Sequence, residues 1–471
     1  MRVQIQITIG LALVCSNLLG VELSRTPLVD ADNSGATSKQ LGSIQGLTAD
    51  VDVREPLSNE DLERQIADLR EIIEQQNDEP ESALIDDGWE DTSTQGWTKK
   101  VGGRVLSEGV FWMDDVDGTQ QNYFEIRQIR LELKGEGYGV LDYKVQMEFE
   151  PELDPTGNSI GGSVSMKDAF LGAKDVPLLG YLRVGHFKVH FSHDQLLSRL
   201  NMTFMERFPM ADPPGFTPGR EVGVASYNHS EDLSRTFVFG GFIDSISETR
   251  MDRLDDNQGF VGAARYTWLP YYDEPSDGRY LLHFGLGAVY TDTQDGSGRF
   301  RQRPEIHEGA RLIDTGAMTA DDYYVLGSEA LFQWGSFYTF NELMWSTLNE
   351  TGVGNRNLYS GYVEAGWRLT GEHRSYRRES GEFRGMTPHS NFWWVDGCRG
   401  IGGWEVAARY SFVDFTDSPN QSEYDSWALA LNWYWNKATK LQLNWINPNT
   451  GGAPFGDASG SILSMRLAAY F

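Results

Sequence analysis

Two-residue alternation of apolar and polar side chains, sustained from about residue 99 to the end of the chain, is the feature that most restricts what this sequence can fold into. A strand sends successive side chains to opposite faces. In residues 461–471, Leu463, Met465, Leu467, Ala469 and Phe471 share one parity, and Ser464, Arg466 and Tyr470 the other. One face therefore suits hydrocarbon and the other water. In residues 140–150, Leu141, Tyr143, Val145, Met147 and Phe149 alternate with Asp142, Lys144, Gln146, Glu148 and Glu150. Similar segments begin near residues 99, 122, 164, 181, 220, 234, 258, 279, 322, 335, 357, 403, 424, 439 and 461, sixteen in all. The expected fold is all-β: a transmembrane antiparallel β-barrel of about 16 strands, wide enough to hold water. Alternation alone also fits a soluble β-protein.

Composition bears on that choice. The chain has 51 Gly, 14 Trp, 20 Tyr and 24 Phe, yet its mean hydropathy is only −0.44. Barrels that cross membranes hide their hydrophobicity by alternating it, so the average stays low and no long apolar run is needed. Aromatic residues gather near segment ends (Trp393, Trp394, Trp427, Trp433, Trp435, Tyr271, Tyr272, Tyr323 and Tyr324), as girdles at two membrane interfaces would require.

Upstream of the alternation the sequence changes character. Residues 1–20 carry Arg2 followed by a mostly apolar run, which reads as a signal peptide. Residues 21–56 are polar and read as a disordered linker. In 57–78, Leu62, Ile66, Leu69 and Ile73 step by four, three and four, the seam of a short coiled-coil helix. An acidic linker, 79–95, leads to the barrel domain, 96–471. Loss of the leader takes Cys15 with it and leaves Cys398 alone, so neither a disulfide framework nor a cysteine metal site is expected. Asp252, Asp255 and Asp256 lack the spacing of a calcium loop.

The net charge is −28, with 6 basic and 19 acidic residues in 1–98, so −13 lies there and −15 in the remainder. Such a chain does not seek nucleic acid, whose phosphates reward a basic surface. No HExxH, GxxxxGK or CxxC occurs, so no enzyme activity and no cofactor are expected.

The order of several blocks is similar to the phosphate-selective porin O and P family. VSMKDAFLGAK, YLRVGHFKVHFS, TFMER and FTPGREVGV fall within 164–224; RFRQRPEIHEGARLIDTG, GGWEVAARYSFVDFTD and LALNWYWNKATKLQLNWI follow. The resemblance covers about residue 96 to the end. It implies a sixteen-stranded outer-membrane porin in bacterial outer-membrane lipid, usually a homotrimer, with a loop folded into the lumen and basic residues along a path for small anionic solutes such as phosphate.

Four long polar connections, 192–219, 245–257, 292–321 and 371–402, are the candidates for extracellular loops. The first contains the Pro/Gly cluster MADPPGFTPG. Lys188, Arg199, Arg207 and Arg220 flank it, with Arg183 on the preceding strand and Asp168 one strand earlier. This set reads as an anion constriction, or equally as an ion-pair network holding the loop against the wall. Arg299, Arg301 and Arg303 alternate, which puts three guanidinium groups on one side of an extended chain, about 7 Å apart. The resembling porins carry an arginine ladder of this kind; a solvated loop gives the same spacing. Arg374, Arg377, Arg378 and Arg384, mixed with Glu372, Glu379 and Glu382, read as solvated extracellular surface. The acidic surplus leaves a general or cation-preferring porin open as an alternative, as well as a plugged structural or adhesive barrel.

Overall fold

The computed structural model describes residues 89–91, 96–116, 118–153, 159–243, 259–293, 297–392 and 399–471. Within them the alternating segments become strands β1 Lys99–Asp114, β2 Tyr123–Gly137, β3 Leu141–Leu153, β4 Ser159–Val176, β5 Gly180–Lys188, β6 Arg220–His229, β7 Arg235–Ile243 and β8 Phe260–Tyr272. The second half continues with β9 Tyr280–Asp292, β10 Met318–Trp334, β11 Phe337–Glu350, β12 Gly354–Arg368, β13 Gly403–Phe415, β14 Ser422–Asn436, β15 Thr439–Gly451 and β16 Ser461–Tyr470. Each pairs antiparallel with its chain neighbours, and β16 returns to β1 with Arg104 opposite Tyr470 and Phe111 opposite Leu463. The result is a closed sixteen-stranded barrel. The expected signal peptide 1–20, linkers 21–56 and 79–95 (apart from the short strand Trp89–Asp91) and coiled coil 57–78 lie outside the described residues, as do Asp252, Asp255, Asp256, Trp393, Trp394 and Cys398.

Closure follows from the alternation. Leu463, Met465 and Leu467 point outward, whereas Ser464 and Arg466 are fully buried on the inner face. Met147 is exposed while Gln146 and Glu148 are buried within the lumen. An apolar exterior without edge strands is what hydrocarbon demands of a sheet, because every backbone group finds its partner within it.

Two aromatic belts mark the ends of that exterior. Tyr290 packs on Tyr324 at 4.9 Å and Tyr410 on Trp427 at 5.0 Å between ring centroids. At the opposite strand ends, Tyr280 packs on Trp334 at 4.8 Å and Trp404 stacks on Trp433 at 5.0 Å. Tyr324 and Trp334 both face outward on β10. At about 3.4 Å per residue along a strand tilted about 40°, they stand roughly 25 Å apart in height, the thickness of the apolar band of such barrels. Their neighbours Tyr272 and Tyr323 do not belong to the belts. Alternation turns both inward, Tyr272 beneath Arg378 and Tyr323 against Phe300.

Short turns, such as 138–140, 177–179, 335–336 and 437–438, occupy one end of the barrel, together with the start of β1 and the end of β16. Three of the four long connections leave from the other end. The fourth, 369–402, does not: it follows an even number of strands and so emerges among the short turns, the periplasmic side of barrels of this kind. The extracellular assignment of 371–402 is therefore corrected.

Candidate functional site

The lumen is polar on one flank and packed on the other, and the connection between β5 and β6 divides them. Residues 189–219 fold inward rather than over the rim. Ser192 caps a single helical turn, α1 His193–Leu196, whose first amides donate to the far wall: His193 to Glu329 of β10 at 2.8 Å, Asp194 to Glu342 of β11 at 2.7 Å. Free amides at a helix start need acceptors, and lumen carboxylates supply them. Further on, Lys440 Nζ reaches the Met202 carbonyl at 2.7 Å, Asn432 the Thr203 carbonyl at 2.9 Å and Arg409 the Glu206 carbonyl at 3.0 Å. Glu206 itself collects Arg127 at 3.2 Å, Arg199 at 3.3 Å and Arg466 at 2.6 Å. Phe191, Phe208, Met210 and Phe216 of this loop are buried against Tyr338, Phe340 and Tyr362 of the wall. This apolar core lies inside the barrel, where a water-filled pore would have none.

Connection 369–402 enters from the opposite end. Arg374, which has no solvent exposure, donates to Thr203 at 3.0 Å; Arg265 holds the carbonyls of Ser380 and Gly381; Phe383 packs on Phe340 at a tilt. Arg377 and Arg384 line the aqueous cavity, and Arg378 pairs with Glu274 at 2.8 Å. The reading of these arginines as solvated extracellular surface is thus corrected for Arg374, Arg377 and Arg384. Charge mixing identified a polar loop but not the lumen wall that it meets.

What remains open is a cavity of about 1380 Å³ along β1–β6, bounded by both inserted loops. All six residues Asp168, Arg183, Lys188, Arg199, Arg207 and Arg220 line it. Arg220 donates to Asp168 at 2.5 Å, and Lys144 pairs with the same carboxylate at 3.1 Å. Arg207 and Arg199 converge on Asp212 at 2.9 and 3.2 Å. Burial would push the Asp212 carboxyl up, but the two guanidinium groups outweigh it and hold the carboxyl below its ordinary value.

Arg183 and Lys188 make no carboxylate contact among the described residues. The Arg183 guanidinium lies over Phe170 at 4.1 Å and Tyr227 at 4.9 Å, an aromatic cradle, and its Nε donates to the Tyr181 hydroxyl at 3.3 Å, which leaves its terminal NH groups for the cavity. Lys188 Nζ donates to the carbonyls of Gln195 at 2.6 Å and Leu196 at 3.2 Å, which leaves one of three ammonium protons for the cavity.

Six further cations, Arg104, Arg130, Lys134, Lys144, Lys167 and Lys174 of β1–β4, share this wall. The sequence did not mark them as site residues, although inward parity holds for all but Lys167, which the register shift opposite Val145 and Met147 turns inward. Together the cavity carries thirteen Arg and Lys side chains against seven carboxylates, in a chain of net charge −28.

Arg299, Arg301 and Arg303 stand apart from that set. Two-residue spacing holds locally: Phe300 packs on Phe216, and Gln302 reaches the Asp212 carbonyl at 2.5 Å, both away from the arginines. Arg299 pairs with Asp314, at 2.8 Å from its Nε, and Arg303 with Glu308 at 3.2 Å. Arg301 makes no side-chain hydrogen bond or ion pair among the described residues, while its backbone amide donates to Pro214 at 3.0 Å. The three therefore lie on a second loop docked against the first.

The sequence profile of "Phosphate-selective porin O and P" matches residues 100–471. The chain belongs to that family. A protein of Caulobacter vibrioides with no assigned function is 29% identical over 331 residues, which are 68% of this porin and 62% of the relative, so less than two thirds of that protein is spanned. Porin O of Pseudomonas aeruginosa is 22% identical over 423 residues, 81% of this chain and 90% of that one. An anion-selective porin from Comamonas acidovorans superposes with a TM-score of 0.50 at 15% identity, covering 80% of this porin and 100% of its own chain; at that identity it speaks for the fold alone. Family and closed barrel together place the chain in the bacterial outer membrane.

Proposed function

We propose that the chain is a diffusion channel for small anions, with phosphate-type oxyanions as the preferred class. One observation carries this reading: the open flank of the lumen holds nearly two cations for every carboxylate, whereas the chain as a whole is acidic. A low-dielectric wall concentrates such a field and raises the local anion concentration. In this reading Lys188 and Arg183 supply the donors that their own contacts leave over, Arg199, Arg207 and Arg220 set the potential, and Asp168 orients Arg220. Arg299, Arg301 and Arg303 form an approach ladder, with guanidinium forks suited to oxyanions. Fold and family favour a channel over an enzyme.

The deciding experiment is reversal potential across planar bilayers in a chloride or phosphate gradient. Wild type is expected on the anion side, with Lys188→Gln and Arg183→Gln shifting it toward zero. Unshifted variants would sink the anion reading and leave a general or cation-preferring porin; an absence of conductance would favour a plugged barrel.

We further propose a homotrimer, supported by the family resemblance and by the heptad seam at 57–78. Cross-linking of the full chain in detergent, compared with a chain lacking 57–78, tests both.

A further inference from the structure

Where the second loop meets the wall, two carboxylates face each other with no cation between them. Glu108 of β1 is almost wholly buried, and its Oε2 is held by Arg466. Its Oε1 has no hydrogen-bond partner. Glu125, at the start of β2, is contacted by the His307 ring, Nδ1 to Oε1 at 2.7 Å. One ligand atom from each of Glu108, Glu125 and His307 lies within 4.8 Å of the others. Glu308 Oε1 stands 3.6 Å from the same Nδ1. Like charges so close in a partly dry site repel strongly. A shared proton or a metal ion between them would relieve that repulsion.

We propose that Glu108, Glu125 and His307, with Glu308 as a fourth donor, form a site for a divalent transition-metal ion such as Zn²⁺, which fastens the loop 299–316 to β1 and β2. One imidazole nitrogen with two or three carboxylate oxygens is a donor set that Zn²⁺ accepts in tetrahedral arrangement. On binding, the proton between Nδ1 and Glu125 leaves to solvent while the imidazole keeps its other proton on Nε2, so that a neutral ring ligates through Nδ1 and Glu125 as carboxylate. The surroundings are of mixed charge: Glu206 is shared among Arg127, Arg199 and Arg466, and Arg303 already pairs with Glu308. Access is from the long-loop end, where Glu308 and His307 keep partial exposure. Because the loop carries Arg299, Arg301 and Arg303, metal occupancy sets how firmly those arginines are held.

Zn²⁺ titration of the folded full chain in detergent by calorimetry, with Co²⁺ absorption as a second probe, tests the site without reference to transport. Wild type should bind one equivalent per chain, and His307→Ala and the isosteric Glu125→Gln should each weaken it at least about tenfold. Both variants should retain the heat-modifiable gel mobility of the folded barrel, so that loss of metal is not loss of fold. Equal binding by wild type and His307→Ala, or no binding by wild type, would overturn the proposal and leave a shared proton as the occupant.

Discussion

Arg220 donates from Nε to Oδ1 of Asp168 at 2.5 Å, while Lys144 takes the other oxygen at 3.1 Å. One carboxylate thus neutralises part of two cavity cations. Asp168→Asn should release them, raising the anion-to-cation permeability ratio about fivefold, equivalent to about 1 kcal/mol once solvent screening is allowed for. Bilayer reversal potentials measure it; a shift toward cations would show that Asp168 attracts no counter-charge of its own.

Asp212 ties Arg207 and Arg199 to the inserted loop. Its folded carboxyl is held below the unfolded value, so its contribution is complete above about pH 4 and is lost as pH falls through the lower folded value. Thermal unfolding in detergent should therefore show a steeper acid loss in wild type than in Asp212→Asn. Parallel curves below about pH 4 would contradict this account.

Glu206 holds three guanidinium groups in the barrel interior. Removing one partner from a buried charge network costs about 3–5 kcal/mol, because the remaining charges lose compensation. Glu206→Gln should destabilise the barrel by that order in urea unfolding into lipid vesicles. A change under about 1 kcal/mol would mean that water already solvates the three arginines.

Outward-facing Leu343 sits mid-strand in β11. Leu343→Arg should cost about 2–4 kcal/mol in folding into bilayers, the penalty of a charge against hydrocarbon. No penalty would remove lipid from that face.

Tyr376 ties connection 369–402 to the wall through His283 and Tyr272 and packs on Phe383 of the same connection. Tyr376→Ala should loosen 369–402 and raise single-channel conductance, with more open-state noise. Unchanged conductance would show that this loop does not narrow the path.

Much of the barrel was legible because hydrocarbon enforces parity. Segments expected near 99, 220, 403, 439 and 461 start at those residues, and the others within a few positions. Parity also carried Lys144 and Arg466 into the lumen. It failed at paired aromatics, where one of Tyr271–Tyr272 and one of Tyr323–Tyr324 had to turn inward, and the sequence reading took both. The side from which 369–402 emerges was available by counting strands, since twelve precede it, but loop length alone suggested the wrong end. Among the cations of the cavity, Lys188 was marked by its place beside the Pro/Gly loop and Arg183 by the strand before it. That Arg374 would be sealed against Thr203, 171 positions away, was not.

A two-residue repeat is local information, and by itself it determined strands with one apolar and one polar face; closure around water took the pairing of β16 with β1. Which flank of the lumen stays open was decided only when two loops entered from opposite ends and spent their apolar side chains on β10–β12. Charges belong to residues, but potential belongs to distance: thirteen cations along one cavity arise from strands far apart in an acidic chain, and only closure of the sheet brings them together.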